Sequence, residues 1–305
     1  MIKLRDVVYV ENRYYVSVKK NSFRFFDLLN KKEKFIPFED VGFLVFENKN
    51  SFFSKRMIDV CLKEDIEIIF CDSKHSPIAV ISSIYGQNQR LKKLKNQLAF
   101  SSKSKKRTWR KLVIAKINNQ ADCLIQVANQ VDSGKNLKLV GKQVEDGDPQ
   151  NKEAYAARRY FVALYGGNFK RGRFDDIINS GLNYGYAILR SVIRQQLIIH
   201  GLEPSWGVHH ISTENPFNLS DDLIEPFRPY VDILVYENLY KKGIYSLKTE
   251  NKKDLLQVLF SRCVIDGKVY TLADAIAVEV NSYVSCIEKQ SASPLKLPIF
   301  IEGGI

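Results

Sequence analysis

One histidine and two glutamates are the residues of this chain best suited to hold a metal ion. His210 and Glu225 stand fifteen positions apart, and Glu153 lies well upstream of both. An imidazole and two carboxylates form a mixed nitrogen and oxygen donor set that suits a hard divalent ion such as Mg²⁺ or Mn²⁺. In a chain with a formal net charge of +12, such an ion would lie among basic groups able to hold a polyanion. The sequence therefore points to metal-dependent chemistry on nucleic acid.

Glu153 is notable for the helical face on which it falls. Positions on the same helical stripe carry small or apolar residues, namely Ala156, Ala157, Tyr160, Phe161 and Leu164. A carboxylate on such a stripe faces the domain interior, where it needs a charged partner or a metal. No lysine or arginine stands at the i+3 or i+4 position, so no ion pair within the helix accounts for Glu153. A cross-helix ion pair with an arginine, or an interaction with the helix N-terminus, is the alternative.

The other two candidate ligands lie in a segment rich in histidine, carboxylate and proline. His209 and His210 are adjacent and would point in different directions on most backbones, so at most one of them is expected to be a ligand. Glu225 precedes Pro226, which biases the Glu225 backbone towards an extended conformation. Neighbouring residues have possible supporting roles: Arg228 as an ion-pair partner or phosphate clamp, Asp221 or Asp222 as a helix cap, and Asp232 as an acid behind the ligands.

Phosphoryl transfer is the reaction class that needs this donor set. The ion would polarise a non-bridging phosphate oxygen and lower the pKa of an attacking water or 3′-hydroxyl. Basic side chains would position the strands, and no covalent enzyme intermediate is required. Tyr184 and Tyr186 could instead be recombinase-type nucleophiles, although packing, or hydrogen bonding near the phosphate, suits them better.

Basic residues are concentrated in one stretch of the chain. There are 46 Lys and Arg against 34 Asp and Glu, and residues 86–111 contain ten basic residues and no acidic one. Such a surplus favours a nucleic-acid partner, because lysine and arginine bound to phosphates release counterions. A merely basic enzyme with a solvated helix face is the alternative. The predicted contacts to the DNA backbone are Lys103, Lys105, Lys106, Arg107 and Arg110, with Arg171, Arg173 and Arg228 as further candidates.

Strand signals dominate the first part of the chain and helical signals the rest. Runs of β-branched and aromatic residues predict strands over 7–10, 14–18, 22–26, 41–46, 66–70 and 77–84, with one helix over 54–63. Apolar spacing then predicts helices over 109–131, 149–164, 179–200, 224–240, 255–260 and 272–290. Asp148 is the predicted N-cap of the second of these helices, residues 135–142 are turn-rich, and 204–222 is a loop.

The predicted fold class is α+β. A small β-rich domain of residues 1–85 is followed by a basic linker or helix over 86–107 and by a larger all-α domain of residues 108–305. Five scattered cysteines without a Cys-x-x-Cys pair suggest neither a zinc site nor a disulfide framework. No signal peptide and no stretch of ~18 apolar residues is found, so we expect a cytoplasmic protein with reduced thiols.

Together these residues resemble the CRISPR-associated spacer-acquisition integrases, the "Cas-one" family, and the type II branch in particular. The resemblance rests on Asn-Lys-Glu-Ala at 151–154, Leu-Asn-Tyr-Gly-Tyr at 182–186, Gly-Val-His-His at 207–210 and Asp-Leu-Ile-Glu-Pro-Phe-Arg-Pro at 222–229. Shorter matches at 69–72 and 85–86 extend it over nearly the whole chain. The Glu-Pro-Phe-Arg-Pro block with the upstream histidine is its most specific part.

The resemblance implies a site, a reaction and a set of partners. Glu153, His210 and Glu225 would bind Mg²⁺ or Mn²⁺ in the helical domain, and the N-terminal domain would mediate a homodimer. A prespacer 3′-hydroxyl would attack the CRISPR array by transesterification. The implied partners are double-stranded prespacer and array DNA, a small second adaptation protein that completes a heterohexamer, the type II effector nuclease and accessory adaptation proteins. The family position of His209 varies, so its role stays open.

Two other functions are consistent with the same residues. A metal-dependent repair nuclease would use the same ligands with water as nucleophile, so only the reaction products separate it from an integrase. A non-catalytic DNA-binding scaffold would show no change in any DNA reaction after Glu153→Ala.

Overall fold

The computed structural model describes residues 6–64, 66–71, 77–81, 90–172, 174, 176–301 and 303. The chain divides into two compact units, Met1–Tyr85 and Gly86–Ile305. The first unit is rich in strands and the second is mostly helical, which confirms the predicted α+β class. None of the described helices combines the length and the apolar character needed to cross a membrane.

The described residues of the first unit form two four-stranded sheets. Its elements, in chain order, are β1 (Asp6–Val10), β2 (Tyr14–Lys19), β3 (Ser22–Asp27), β4 (Glu33–Pro37), β5 (Val41–Phe46), β6 (Phe52–Phe53), α1 (Lys55–Lys63), β7 (Glu67–Cys71) and β8 (Pro77–Ile81). One sheet has the order β1-β5-β7-β8, with β1, β5 and β7 parallel and β8 antiparallel. The other has the order β4-β3-β2-β6. Residues 82–84, predicted as the end of the last strand, lie outside the described residues.

The pattern of burial explains the strands that sequence periodicity found and those it missed. Every residue of β5 is buried, as expected for a continuous apolar run inside a parallel sheet. β4, in contrast, lies at a sheet edge with mostly exposed side chains and has no apolar run to reveal it. Ser54 caps α1 by accepting a hydrogen bond from the Met57 amide, and Met57 and Cys61 of that helix are buried in the core.

The second unit contains nine helices and a small sheet within its described residues. The helices are α2 (Arg90–Leu98), α3 (Ser102–Gln126), α4 (Val131–Lys142), α5 (Lys152–Tyr165), α6 (Ile177–Ile199), α7 (Asn218–Leu223), α8 (Arg228–Val235), α9 (Thr249–Leu256) and α10 (Leu272–Glu288). Short 3₁₀ helices at Glu225–Phe227 and Gln257–Phe260 and a π-helix at Tyr236–Tyr240 connect some of them. The sheet consists of β9 (Arg262–Ile265), β10 (Lys268–Thr271) and β11 (Ile299–Phe300), which the sequence did not predict.

The longest helix, α3, begins inside the basic segment and runs on through residue 126. Residues 90–107 therefore contribute α2 and the first turns of α3 to the second unit. The turn-rich prediction for 135–142 is wrong, because these residues belong to α4. Gly134 explains the miss: a Cβ there would lie 2.5 Å from the Ile125 side chain, so α4 needs the glycine to pack closely on α3. Helix packing here outweighs the low helix propensity of glycine.

Candidate active site

Glu153 is held in the first turn of α5 by an unusual cap. Asn151 is the N-cap residue and accepts a hydrogen bond from the Ala154 amide at 3.2 Å. The Asp148 carboxylate accepts from the amides of Lys152 and Glu153 at 2.8 and 2.9 Å. The prediction that Asp148 is the N-cap residue is therefore wrong, because three residues separate Asp148 from the first residue of the helix. Asp148 still satisfies two free amides of the first turn, which fixes the backbone at Glu153.

Glu225 lies at the start of the 3₁₀ helix that precedes α8, and it is buried. The expected extended backbone before Pro226 is therefore wrong, since a proline fits the first turn of a helix. The Asn119 side chain of α3 donates to the Pro226 carbonyl at 2.8 Å and ties this turn to α3. Arg228 Nε donates to Glu225 Oε1 at 2.8 Å, so the alternative of an ion-pair partner for Arg228 is the one observed.

Lys116 of α3 brings the two candidate glutamates together. Its Nζ lies 2.6 Å from Glu153 Oε1 and 2.5 Å from Glu225 Oε2, and only 7% of its side chain is exposed. The cross-helix ion pair considered for Glu153 is therefore present, with a lysine as the partner. Sequence reasoning missed Lys116, although the signal was available. Lys116 falls on the α3 stripe of Trp109, Leu112 and Val113, as Glu153 does on α5.

The charges in this cluster shift one another's protonation. Burial acts to raise the pKa of Glu225, but the charges of Arg228 and Lys116 outweigh it and lower that pKa to about 2. Burial acts to lower the pKa of Lys116, and the nearby Glu225 and Glu153 carboxylates raise it above its ordinary value. The contact between Glu225 and Lys116 is thus between charged groups at neutral pH.

His210 is positioned by Asp222, a fully buried aspartate of α7. The Asp222 carboxylate accepts from the amides of Val208, His209 and His210 and lies 2.7 Å from His210 Nδ1. The hydrogen bond to Asp222 raises the pKa of His210 above its ordinary value. Because Nδ1 is engaged, Nε2 is the ring nitrogen of His210 that is left to bind another group.

The predicted helix-cap role of Asp221 or Asp222 is wrong. Both residues lie inside α7, whose N-cap position is Phe217. Asp222 holds the histidine loop instead, and Asp221 pairs with Arg190 Nε at 2.7 Å. No sequence pattern predicts the Asp222 contacts, because they join residues twelve to fourteen positions apart through an irregular loop.

The two histidines have different surroundings. The His209 ring stacks on the buried Trp109 ring with centroids 4.2 Å apart, and the His209 residue is exposed. The His210 ring meets Trp109 edge to face at 5.9 Å. His209 therefore packs on α3, while His210 is the histidine held by a carboxylate.

The three predicted ligands are only partly assembled. Glu153 and Glu225 converge on the position of the Lys116 ammonium. Glu225 Oε2 is buried and accepts no directed hydrogen bond among the described residues, so its contact with Lys116 is an ion pair alone. No group of three or more His, Cys, Asp and Glu side chains is close enough to hold one metal ion in the described part of the chain. Two carboxylates thus converge on one cation position, which the Lys116 ammonium occupies, and His210 is not part of this set.

Asp232, Tyr186 and Arg228 form a chain of contacts behind Glu225. Tyr186 donates a short hydrogen bond to Asp232 Oδ1, and the Arg228 guanidinium lies over the Tyr186 ring at 4.5 Å from its centroid. Burial raises the pKa of the Asp232 carboxyl to about 6. Tyr184 and Tyr186 are both buried, so neither hydroxyl lies on an open surface. This arrangement suits a role in orienting Arg228 and through it Glu225.

The predicted DNA contacts fall into two groups on the structure. Lys103, Lys106, Arg107 and Arg110 are exposed on α3, where the two arginines lie 3.4 and 3.5 Å from Asp146. Such exposed pairs are weak and leave the guanidinium groups available to phosphate.

The other predicted contacts have partners within the protein. Lys105 Nζ lies over the Trp206 ring at 4.7 Å, and Arg171 donates to Asn179 and Asn183. Arg228 is engaged by Glu225 and Tyr186. Arg173 lies outside the described residues.

A basic groove runs beside α3. It has a volume of about 750 Å³, and its lining includes Arg110 and Lys111 of α3, Lys138 and Lys142 of α4, and apolar residues near β11. Lys138 pairs with Asp122 at 2.6 Å, which reduces the charge at one end of the groove. The basic side chains that line the groove therefore place positive charge beside α3, the helix that carries Lys116.

Comparison with known proteins gives the family and the fold. Residues 7–262 match the family described as CRISPR associated protein Cas1. The chain is 33% identical over 273 residues to a CRISPR-associated endonuclease Cas1 of Neisseria meningitidis serogroup C (strain 8013), covering 88% of each protein. Two solved structures share the fold, each with a TM-score of 0.75. A casposase bound to integration product is 17% identical, with 95% of this chain and 92% of that chain covered. A Cas6-RT-Cas1–Cas2 complex is 16% identical, with 97% and 36% covered.

The match to the family extends over both units and includes Glu153, His210 and Glu225. It agrees with the resemblance noted from the sequence motifs, and the alignment with the Neisseria meningitidis protein covers 88% of the chain. The chain therefore belongs to the Cas1 family of CRISPR-associated proteins.

Proposed function

We propose that this protein is a metal-dependent DNA integrase of CRISPR adaptation with endonuclease capacity. It joins the 3′-hydroxyl ends of a prespacer to the CRISPR array by transesterification. The observation that carries this proposal is the convergence of Glu153 and Glu225, from separate helices, on one buried cation position. Family membership and the exposed basic side chains of α3 support DNA as the substrate.

Glu153, Glu225 and His210 are the residues that would hold Mg²⁺ or Mn²⁺. When bound, the ion would polarise a phosphate oxygen and offset the negative charge that develops during transfer. The carboxylates supply the oxygen ligands that such hard ions prefer, and His210 supplies Nε2 because Asp222 holds its Nδ1.

Surrounding residues orient the ligands. Asp222 fixes both the backbone and the ring of His210, and Arg228 fixes one oxygen of Glu225. Asp232 and Tyr186 in turn hold Arg228 from behind. Asp148 fixes the backbone of Glu153 through the first turn of α5. The site is thus supported on three sides by charged hydrogen bonds, which are the strong ones.

DNA would lie along the basic face of α3. Four exposed side chains there would contact the DNA backbone: Lys103, Lys106, Arg107 and Arg110. Lys105 and Arg171 are half-buried and are further candidates for such contacts. Such phosphate contacts give affinity and register but no base specificity. Raising the salt concentration should therefore weaken binding steeply.

The assembly follows the family. The first unit would mediate a homodimer, and the partner would be the small second adaptation protein, since one structure of the same fold is described as a complex with Cas2. The type II branch, with its effector nuclease and accessory proteins as further partners, also belongs to this proposal, as does a cytoplasmic location.

A strand-transfer assay tests the function. Labelled prespacer duplex and a plasmid carrying an array are incubated with the protein, its small partner and Mn²⁺. Glu153→Gln should reduce joined product at least about a hundredfold while duplex binding survives, because losing an electrostatic contribution to the transition state has effects of that size. Glu145→Gln is the matched control, since Glu145 is an exposed glutamate just before α5.

The products decide between the candidate functions. Joined strands indicate integration. Cleaved ends without joined strands indicate the repair nuclease. If Glu153→Gln and the unmodified protein yield the same products in the same amounts, Glu153 has no catalytic role and the protein is best described as a DNA-binding scaffold.

A further inference from the structure

The carboxylate pair of the site already has a cation of its own. Lys116 Nζ contacts Glu153 Oε1 and Glu225 Oε2, at 2.6 and 2.5 Å. It reaches them from α3, whereas the glutamates come from α5 and from the turn before α8. One ammonium group therefore links three separate segments of the second unit.

Because Lys116 and Glu225 are buried, each needs the charge of the other. The Lys116 side chain is 7% exposed and that of Glu225 is 5% exposed. A charge removed from water is tolerated only when it is paired, and removing one partner leaves the other uncompensated. Without Lys116, the Glu225 carboxylate would keep Arg228 on Oε1, but its Oε2 would have no cation. The Glu153 carboxylate would lose the charged group that the structure gives it.

Lys116 and a divalent ion would use the same oxygens. A Mg²⁺ or Ca²⁺ ligand bond is roughly 2.0–2.6 Å long, which is close to the two distances from Lys116 Nζ to the carboxylates. An ammonium and a divalent ion that share these oxygens would also repel each other strongly at such short range. The lysine stem is a flexible four-carbon chain, so its head group can leave while α3 stays in place.

We propose that Lys116 is the resident counter-cation of the metal site. It holds Glu153 and Glu225 together when no metal is bound, and a divalent ion must displace it to bind. The inference rests on the proposed function, because it assumes that the two glutamates are metal ligands. It makes Lys116 a positioning residue that sets the metal concentration at which the site fills, and metal loading becomes an exchange of one cation for another.

Metal titration of a charge-removing variant tests the exchange. The unmodified protein and Lys116→Met are stripped with chelator, and Mn²⁺ binding is followed by isothermal titration calorimetry. Lys116→Met should bind Mn²⁺ at least about tenfold more tightly, since close charge pairs have coupling energies of that order or more. Lys116→Arg should bind as weakly as the unmodified protein, because it keeps the charge. Lys135→Met removes an equal charge from an exposed site on α4 and should leave the affinity unchanged.

Thermal stability gives a second measurement. Metal-free Lys116→Met should melt below the unmodified protein, and saturating Mn²⁺ should raise its melting temperature by more than it raises that of the unmodified protein. If the variant does not fold without metal, refolding with and without Mn²⁺ replaces the scan, and recovery only with Mn²⁺ is the expected result. Lys116→Gln, which is neutral but still a hydrogen-bond donor, should behave like Lys116→Met.

The outcomes separate this inference from the function on which it rests. Equal or weaker Mn²⁺ binding by Lys116→Met, or failure to fold even with Mn²⁺, would overturn the exchange and leave the metal site standing. No Mn²⁺ binding by any of the variants or by the unmodified protein would remove the metal site itself.

Discussion

Three buried carboxylates in the helical unit have very different surroundings. Glu225 faces two cations, Lys116 and Arg228, which lower its pKa to about 2. Asp232 accepts a hydrogen bond from Tyr186 at one oxygen, and burial raises its pKa to about 6. Glu279 of α10 is fully buried, neither of its oxygens has a hydrogen-bond partner among the described residues, and burial raises its pKa well above the ordinary value.

The comparison shows that burial alone does not determine whether a carboxylate is charged. Desolvation acts on all three groups in the same direction, and the number of nearby cations decides the result. A metal ligand must be ionised at neutral pH. Of these three residues, Glu225 meets that condition, whereas Glu279 is expected to be a neutral acid in the core.

Removing the charge of Glu225 should have the largest effect. Glu225→Gln leaves the buried Lys116 and Arg228 with less counter-charge, so the unfolding free energy should fall by about 3–5 kcal/mol, the usual loss for a broken buried pair. Urea denaturation measures it. Glu279→Gln is the matched control and should not destabilise the protein at neutral pH. Equal losses for the two variants would contradict the difference drawn between them.

Asp222 extends the comparison to a carboxylate that organises a loop. Asp222→Asn removes the charge that three amides and His210 share, and the unfolding free energy should fall by about 2–3 kcal/mol. Strand transfer should fall as well, because the His210 ring loses its fixed orientation. Asp221→Asn, at the next position, weakens the ion pair with Arg190 and the hydrogen bond that Asp221 accepts from Asn215, and should cost about 1 kcal/mol, less than Asp222→Asn. A loss for Asp221→Asn as large as that for Asp222→Asn would argue against the loop-holding role.

Tyr186→Phe tests the surroundings of Asp232, whose pKa lies between those of Glu225 and Glu279. The ring that carries Arg228 is kept while the hydroxyl bound to Asp232 is lost, so stability should fall by about 1–2 kcal/mol. Strand transfer should stay within about tenfold of the unmodified level, since a positioning role is only partly lost. Loss of strand transfer as complete as in Glu153→Gln would instead support a tyrosine nucleophile.

Glu279 should produce a small pH-dependent effect. Burial raises the folded-state pKa of Glu279 above its unfolded pKa, which is about 4.3. Between these two pKa values, the unfolded state releases a proton that the folded state keeps. Its contribution to stability is therefore greatest below that range and is lost as pH rises. As the pH is raised from 4 to 8, the melting temperature of Glu279→Gln should rise by several degrees relative to that of the unmodified protein. A change of 1 kcal/mol in stability corresponds to a shift of ~2–4 °C. A constant difference would show that Glu279 ionises alike in both states.

The sequence predicted the fold class and several element bounds. α6 and α10 were expected over 179–200 and 272–290 and occur at Ile177–Ile199 and Leu272–Glu288, because both have strong apolar spacing. α4 and the small sheet of β9, β10 and β11 were missed, since glycine-containing helices and strands of two to four residues depend on tertiary packing.

The sequence suggested the residues of the candidate site but not their geometry. Glu153 stood out because it is a charge on an apolar helical stripe, and Lys116 could have been found by the same test on α3. The contacts of Asp222 with the histidine loop could not be read from spacing, because an irregular loop has no period. The role of His210 as a third ligand stays a prediction.

The cap of α5 has a consequence for how this protein tolerates change in chain length. Asp148 and Asn151 both have left-handed backbones, at φ 48° and 50°, and their side chains hold the amides of residues 152–154. The position of Glu153 therefore depends on the short connection between α4 and α5 as much as on α5 itself. An insertion or deletion in that connection would shift Glu153 relative to Lys116 and Glu225 while leaving the helices intact.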